Sequence, residues 1–502
     1  MNAKFKLLPL LTAIALIVSL ASCKKETVDS SSASPSSKTE SASESAGDAS
    51  AAASDDDILV ANSNTSSATS SGKAANVSSK DNTEGQYNVD TGALTSPQEK
   101  KFKSLKGTTV KFAIAVGPED QGAGTKQFFE MVEKRYGVKI EFEIMSDREQ
   151  RTKIGQMVAA GNPPDACYMF DVTMLNYVYG NVAQPIDQYL AKDDPIWAKG
   201  KLDAFKINNK TYGIPQGWDM PEFFVYYNET LFKEKNQKTP TDYYKEGNWT
   251  FAAFLDTAKK MTEFQSDGKT VKTAGVGTWY YNVFNLANGG KSVSETSPGK
   301  FQVTIDKPNE MEALSLLYNL VQANALYTGD SYAGFAQRKI AMHIERPQYA
   351  IGNYNYYVKM SDKIGMAPLP KSSDGKYYAP QINTGQCIPK NAKNPLGGMM
   401  ILYEKYRYDK ERLLVTKDTP GVTETDLALR RGVISDEHLK LYTEYLKIAT
   451  PISSYLESIS GWETSEIRNQ FWNPIIVEKK QPAVAVDSMK STLQSALKRT
   501  TG

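Results

Sequence analysis

An α/β fold built on a parallel sheet, in a chain large enough for more than one core, is what this sequence predicts. Three observations predict it. Strand, helix, strand, helix and strand patterns follow one another between Thr109 and Met169, the order that parallel βαβ units require. Gly137 and the run Gly161-Asn162-Pro163-Pro164 stand where the two helices must stop. The chain has 502 residues, well beyond the ~250–300 at which a single core stops growing.

Taken in order, residues 1–23 have the parts of an export signal. Lys4 and Lys6 precede an apolar run from Leu7 to Leu20, and small residues lead to Cys23. The run is shorter than the ~20 apolar residues of a comfortable membrane span. Leu20-Ala21-Ser22-Cys23 resembles the lipobox of bacterial lipoproteins, which implies that Cys23 becomes the lipidated first residue of the mature protein. Residues 24–104 are dominated by Ser, Ala, Asp, Thr and Asn. A segment so poor in large apolar residues does not offset its ordering entropy by burial, so it is expected to be a disordered tether.

From Thr109 the pattern changes. Thr109–Val116 reads as a buried strand, Thr125–Tyr136 as an amphipathic helix, and Val138–Ile144 as a second strand. Glu149–Ala160 reads as a helix and Asp165–Met169 as a third strand. A β-like pair is expected around Asn208–Pro215 and a strand over Phe223–Tyr227. Asn248-Trp249-Thr250 opens a helix with Phe251, Phe254, Leu255, Ala258 and Met261 on one face, which makes Trp249 a core residue. Pro308–Gln322 has helical periodicity, Ile340–Ile344 and Ile364–Ala367 return to strand character, and the chain after about Pro395 is expected to be largely helical.

An ordered set of short motifs from about Lys106 onward resembles the extracellular solute-binding proteins (family 1) of ABC importers, the group of the maltose-type sugar receptors. They are Ala159-Ala160-Gly161-Asn162-Pro163-Pro164-Asp165, Gln184-Pro185-Ile186-Asp187, Gly213-Ile214-Pro215, Tyr226-Tyr227-Asn228-Glu229 with Leu231-Phe232, Asn248-Trp249-Thr250-Phe251, Lys339-Ile340-Ala341-Met342 and Pro368-Leu369-Pro370. The resemblance implies a two-lobed periplasmic-binding-protein-like fold, with a hinge and a ligand cleft between the lobes. Lobe 1 is expected over 105–223 plus about 340–390, and lobe 2 over 224–339 plus about 391–502. It also implies a monomer that carries its ligand to an ABC permease, on the outer face of the cell membrane, held there by lipid alone.

Open α/β sheets bind ligands beyond the carboxyl ends of their strands. That rule selects Glu119 and Asp120 after the first strand, Asp171 after the third, Trp218 and Asp219 after Pro215, and Trp279, Tyr280 and Tyr281 after Thr273–Val276. It also selects Glu345 and Arg346 after the return strand, with Trp462 at the start of a late helix. Tyr226 and Tyr227 alternate in a strand, so only one can face a cleft, and Tyr227 joins the set. Aromatic rings stack on the C–H faces of a sugar, while carboxylates and Arg bond its hydroxyl rim. The resemblance points to Asp171, Trp279 and Trp462 in particular. Trp472, before Asn473-Pro474, reads as a structural anchor.

Other classes fit less well. The formal net charge is +2 with both signs interspersed, so nucleic acid is not an expected partner. Only two His and three Cys are present, which leaves little for a metal or histidine-based centre, and neither cofactor nor metal is expected. Cys167 and Cys387 are expected to be buried thiols rather than a disulfide. There is no Gly-x-Ser-x-Gly elbow, no His-Glu-x-x-His and no Gly-x-x-x-x-Gly-Lys-Ser/Thr loop, so no enzyme is expected. The readings left standing beside a carbohydrate receptor are a receptor for a peptide, polyol or polyamine, a secreted glycoside hydrolase, and an adhesin.

Replacing Cys23 by Ala should release the protein from membranes. Fractionation of the producing cells checks this, and a variant still sedimenting with membranes would contradict the lipid anchor.

Overall fold

A computed structural model describes residues 94–502, apart from 121–122, 198–201, 216–222, 347–356, 358–359, 383, 413–414, 417–418, 421–434 and 464. The export signal, Cys23, most of the tether, Trp218 and Asp219 lie outside the described residues.

The first sheet begins with β1 (Thr109–Ile114), crosses through α1 (Ala123–Tyr136) and returns as β2 (Lys139–Ile144). β1 and β2 pair in parallel from Thr109↔Lys139 to Ile114↔Ile144. Gly137, at φ 64°, ends α1 in a conformation that a side chain would strain. Ser146 and Glu149 form a capping box that starts α2 (Asp147–Ala159). Gly161-Asn162-Pro163-Pro164 then turns the chain into β3 (Cys167–Met169), which joins β1 through a parallel bridge between Phe112 and Ala166. A hairpin with Asn208 and Asn209 at positive φ leads to β4 (Gly213–Pro215).

The second sheet starts with β5 (Phe224–Asn228), followed by α3 (Phe251–Met261) and β6 (Val271–Gly277). Trp249 is fully buried beside α3, where its indole donates to the Pro368 carbonyl at 2.8 Å, as a core residue should. Gly275 lets α3 lie directly on β6, since a Cβ there would meet the Ala258 carbonyl oxygen at 2.0 Å. α4 (Pro308–Gln322) crosses to β7 (Leu326–Tyr327), and the chain continues through β8 (Ile340–Glu345) and β9 (Ile364–Ala367). The order across the sheet is β7, β6, β8, β5, β9. β6 and β8 are parallel, while β5 runs antiparallel to both β8 and β9.

β10 (Gly385–Cys387) returns to the first sheet between β3 and β4. Cys387 is registered opposite Cys167, with the two buried thiol sulfurs 3.5 Å apart. The rest is largely helical: α5 (Pro395–Arg412), α6 (Asp436–Ile448), α7 (Glu466–Ile476) and α8 (Pro482–Thr501). Trp462 falls in the turn before α7 rather than at a helix start. Among the described residues no helix is long and apolar enough to cross a membrane.

The expected division of the chain between lobes needs correcting in two stretches. β8 and β9 belong to the second sheet, not the first. Every residue of β8 is buried, so the strand needs a neighbour on each edge, and β6 and β5 supply them. Of the stretch 340–390, β10 is the part that joins the first sheet. Conversely, α5 was expected on the second lobe but packs Met399, Met400 and Leu402 with Val110 and Phe112 of β1. A larger core runs from Cys167, Met169 and Phe205 through Phe223 to Val276, Phe284 and Leu317.

The tether boundary expected at residue 104 needs correcting as well. A tether through residue 104 does not survive, because a short helix, Pro97–Lys101, is docked by buried polar groups. Glu99 accepts from Arg135 at 2.6 Å and Arg407 at 2.8 Å. Burial opposes its ionisation, but Arg135, the Ser96 backbone and Arg407 outweigh that and hold the carboxyl below its usual range. Gln98 bonds Tyr189 and Ala191, and Phe102 is fully buried. Cutting the chain back to Leu105, or replacing Glu99 by Ala, takes the Glu99 carboxylate from Arg135 and leaves Arg407 with Glu404 alone. The expected loss is about 3–5 kcal/mol, read from urea unfolding against a chain beginning at residue 94.

Candidate functional site

Parallel strands bring their carboxyl ends to the same sheet edge. β6 and β8 are registered with Met342 beside Val276 and His343 beside Gly277. Continuing that register sets Glu345 beside Trp279. The Trp279 indole donates to Glu345 Oε2 at 2.5 Å. The Arg346 backbone N–H donates to Glu345 Oε1 at 2.7 Å, and Arg346 Nε forms an ion pair with the same oxygen at 3.6 Å. The guanidinium lies over the Trp279 ring, 5.1 Å from its centroid. Tyr280 stacks on Phe223, with centroids 4.9 Å apart and planes 8° from parallel. Glu345 is 0% exposed and Arg346 9%, whereas Trp279 is half-buried.

An aromatic chain leads away from this platform. Tyr281 meets Trp472 at 5.8 Å, Trp472 meets Phe471 at 4.5 Å, and Phe471 meets Trp462 at 5.8 Å. Trp472 is buried in that stack, the anchoring position expected for it. Trp462 is only 4% exposed, so it packs more than it presents.

At the first sheet's edge, Asp171 opens the turn after β3 and is half-buried. That turn packs against Leu456–Ser458, just before Trp462. Arg151 of α2 lies over the Phe170 ring at 4.9 Å. Burial pushes the Glu463 carboxyl up, and Arg151 opposes the shift.

Of the residues selected from sequence, the structure thus gathers Trp279, Tyr280, Glu345 and Arg346, while Asp171 and Trp462 lie on segments that meet. Glu119 and Asp120 are exposed on the loop after β1, and Glu119 reaches Lys126 on α1 at 2.9 Å. Tyr227 is a correction. It is 1% exposed, and its hydroxyl bonds Thr241 at 2.7 Å and His438 at 3.3 Å. Both faces of this inner strand are covered, so neither tyrosine of the pair presents itself to a cleft: Tyr226 packs on Tyr357. Phe170, Phe223, Glu463 and Arg151 were missed. The strand-end rule reaches Phe170 and proximity to Trp462 reaches Glu463, but nothing local marks Phe223 or Arg151.

Two Ser–His contacts exist among the described residues. Ser331 Oγ is 3.0 Å from His343 Nε2, and Ser435 Oγ is 3.0 Å from His438 Nδ1. His343 is sealed in the core with Tyr357 and Phe335, and Ser435 caps α6. Both pairs are structural. No group of described His, Cys, Asp and Glu is arranged to hold a metal ion.

Comparison with known proteins matches residues 127–411 to the bacterial extracellular solute-binding protein family. Among solved structures, an ABC substrate-binding protein of Listeria monocytogenes in complex with cycloalternan is 17% identical. It aligns over 78% of this chain and 99% of its own, with a TM-score of 0.57. UgpB of Mycobacterium tuberculosis, in complex with glycerophosphocholine, is 14% identical over 78% and 98%, with a TM-score of 0.58. The maltose-binding periplasmic protein of Listeria monocytogenes, in complex with maltose, is 18% identical over 78% and 98%, with a TM-score of 0.55. Likeness at these identities establishes the two-lobed fold.

Burial holds both histidines neutral, pushing His343 down to about 3 and, with the Lys245 charge assisting, His438 down to about 4. Unfolded imidazoles take up protons near pH ~6.5, so the unfolded state binds more protons from there down to the folded values. Stability should therefore fall as pH drops below about 6.5, by about 2 kcal/mol per histidine at pH 5. Buried Glu310 and Glu404 are shifted upward and act in the opposite sense. The histidine share is accordingly read from His438→Gln, whose loss of stability between pH 7 and 5 should be smaller than the parent's in urea titrations.

Proposed function

The chain belongs to the bacterial extracellular solute-binding proteins, and from that premise we propose that its solute is a carbohydrate, most simply an oligosaccharide, delivered to an ABC permease. The observation that carries this reading is the platform of Trp279, Arg346 and Glu345 at the strand ends. A half-buried indole beside a fixed guanidinium offers an apolar face for a pyranose and donors for its hydroxyl rim. Tyr280 and Phe223 pack against the indole at centroid distances of 5.2 and 6.4 Å, both tilted rather than stacked. The Asp171 turn and the Trp462 segment supply polar and aromatic groups at the other sheet's edge. Solved structures of the same fold hold cycloalternan and maltose, and one holds glycerophosphocholine, so a sugar is among the solutes this fold accommodates.

Around that site the remaining parts have consistent roles. Cys23 carries the lipid that keeps the protein at the outer face of the membrane. The segment between Cys23 and the helix Pro97–Lys101 gives the receptor reach. The crossings between sheets, including the one from β9 to β10, serve as the hinge on which the lobes close. The receptor works as a monomer, because closure needs both lobes free.

Melting the mature protein against mono- and oligosaccharides, glycerophosphocholine, peptides and polyamines tests the proposal. A ligand at 100-fold its dissociation constant adds about 2.7 kcal/mol, a rise of a few degrees in Tm. A glycan that raises Tm and is recovered intact is the expected result. A glycan recovered cleaved would replace the receptor with a hydrolase, and a response confined to another solute would discard the sugar.

A further inference from the structure

Glu345 is fully buried, yet it sits at the centre of the ligand platform. The indole N–H of Trp279 donates to one of its oxygens at 2.5 Å, and the other accepts from the Arg346 backbone at 2.7 Å and pairs with Arg346 Nε at 3.6 Å. Its backbone is fixed as well, since Glu345 ends β8 and is registered opposite Phe224 of β5. A carboxylate so enclosed is in no position to bond a ligand's rim. It sets the rotation of the indole and the place of the guanidinium, which in turn lies 5.1 Å over the ring.

Two consequences follow for what the site accepts. The indole N–H is already engaged and the guanidinium lies over one face of the ring, so Trp279 offers a ligand its opposite face and no donor. Among the described residues the Arg346 cation is matched by an adjacent buried anion, so this pair meets a ligand with no net charge. An anionic sugar would approach a buried carboxylate whose field is less screened than it would be in water, and would gain from the guanidinium only part of what an unmatched cation offers.

We propose that Glu345 is a positioning residue that makes the site select neutral glycans over acidic ones, acting through Trp279 and Arg346 rather than by touching the ligand. The inference rests on the carbohydrate reading of the site. It adds a specificity determinant that relies on a mismatched partner, not only on an attractive contact.

The test uses the mature protein, Glu345→Gln, and the double variant Glu345→Gln/Arg346→Gln. Probes are maltotriose and mannobiose as neutral glycans and trigalacturonic acid as the acidic one, titrated by calorimetry. The 15N indole signal of Trp279, assigned by its loss in Trp279→Phe, is followed without ligand. Gln keeps an oxygen that accepts from the indole, so the signal should stay protected from solvent exchange in Glu345→Gln. The neutral glycan should bind about tenfold more weakly and the uronide about tenfold more tightly. Removing the cation in the double variant should abolish the gain for the uronide.

An unchanged preference in folded Glu345→Gln overturns the proposal, as does uronide binding that persists in the double variant. A Trp279 indole that exchanges freely in the parent protein overturns the positioning. Protected indole with no response to any glycan overturns the carbohydrate reading, and the selection between glycans with it.

Discussion

The parallel pairing of Val271–Gly277 with Ile340–Glu345 is the constraint on which the candidate site depends. In a parallel pair the residues that follow both strands emerge on one side, so a fixed register places a loop residue of one beside the last residue of the other. Here it sets the Trp279 loop against Glu345 and Arg346. The pairing is held from several directions. α3 presses on β6 at Gly275, and β8 is buried at all six positions between β6 and β5. A slip of one residue would turn every side chain of β8 to the opposite face, moving the Glu345 carboxylate away from the indole N–H.

Two buried carboxylates show the same physics put to different ends. Glu99 ties the helix Pro97–Lys101 to Arg135 and Arg407 on the first sheet's helices, which docks a segment that precedes β1. Near it, Tyr136 donates to the buried Glu404 at 2.5 Å. Glu345 ties the platform of the second sheet to Arg346. A buried pair contributes modestly to stability once desolvation is counted, but removing one partner is costly. Each therefore specifies a position more than it adds stability, at the chain's docking point in one case and at the strand ends in the other.

Between the two sheets the packing is continuous rather than divided. Phe223 lies in the larger core with Met169 and Val276 while its ring supports Tyr280. The hairpin strands Val293–Ser297 and Lys300–Val303 touch elements that precede β5: Tyr179 donates to the Gly299 carbonyl at 3.3 Å, and Glu295 accepts from the Asn208 backbone at 2.8 Å. Site residues thus stand on strand ends that are rigid in themselves, next to segments that join one sheet to the other.

Much of this was legible in the residues. Alternation and helical period report which face of a segment is apolar, so strands, helices and their order follow from local pattern, and the strand-end rule selects Trp279, Tyr280, Glu345 and Arg346, which the fold brings to one sheet edge. Glycine and proline placed the stops, since their backbone limits are local too. What tertiary structure alone decided was partnership. Period says that Ile340–Glu345 is a buried strand but not which strands flank it, so the expectation of about 340–390 on lobe 1 and about 391–502 on lobe 2 parts from the partners that β8, β9 and α5 take. Alternation marked Tyr226 and Tyr227 as facing opposite ways without showing that both sides were covered. A carboxylate at a strand end looks the same in sequence whether it meets a ligand or an indole, and a Glu in a polar stretch gives no sign that two arginines wait more than thirty residues away. Those outcomes depend on contacts distant in sequence, and non-local pairing is the part of a fold that no local period encodes.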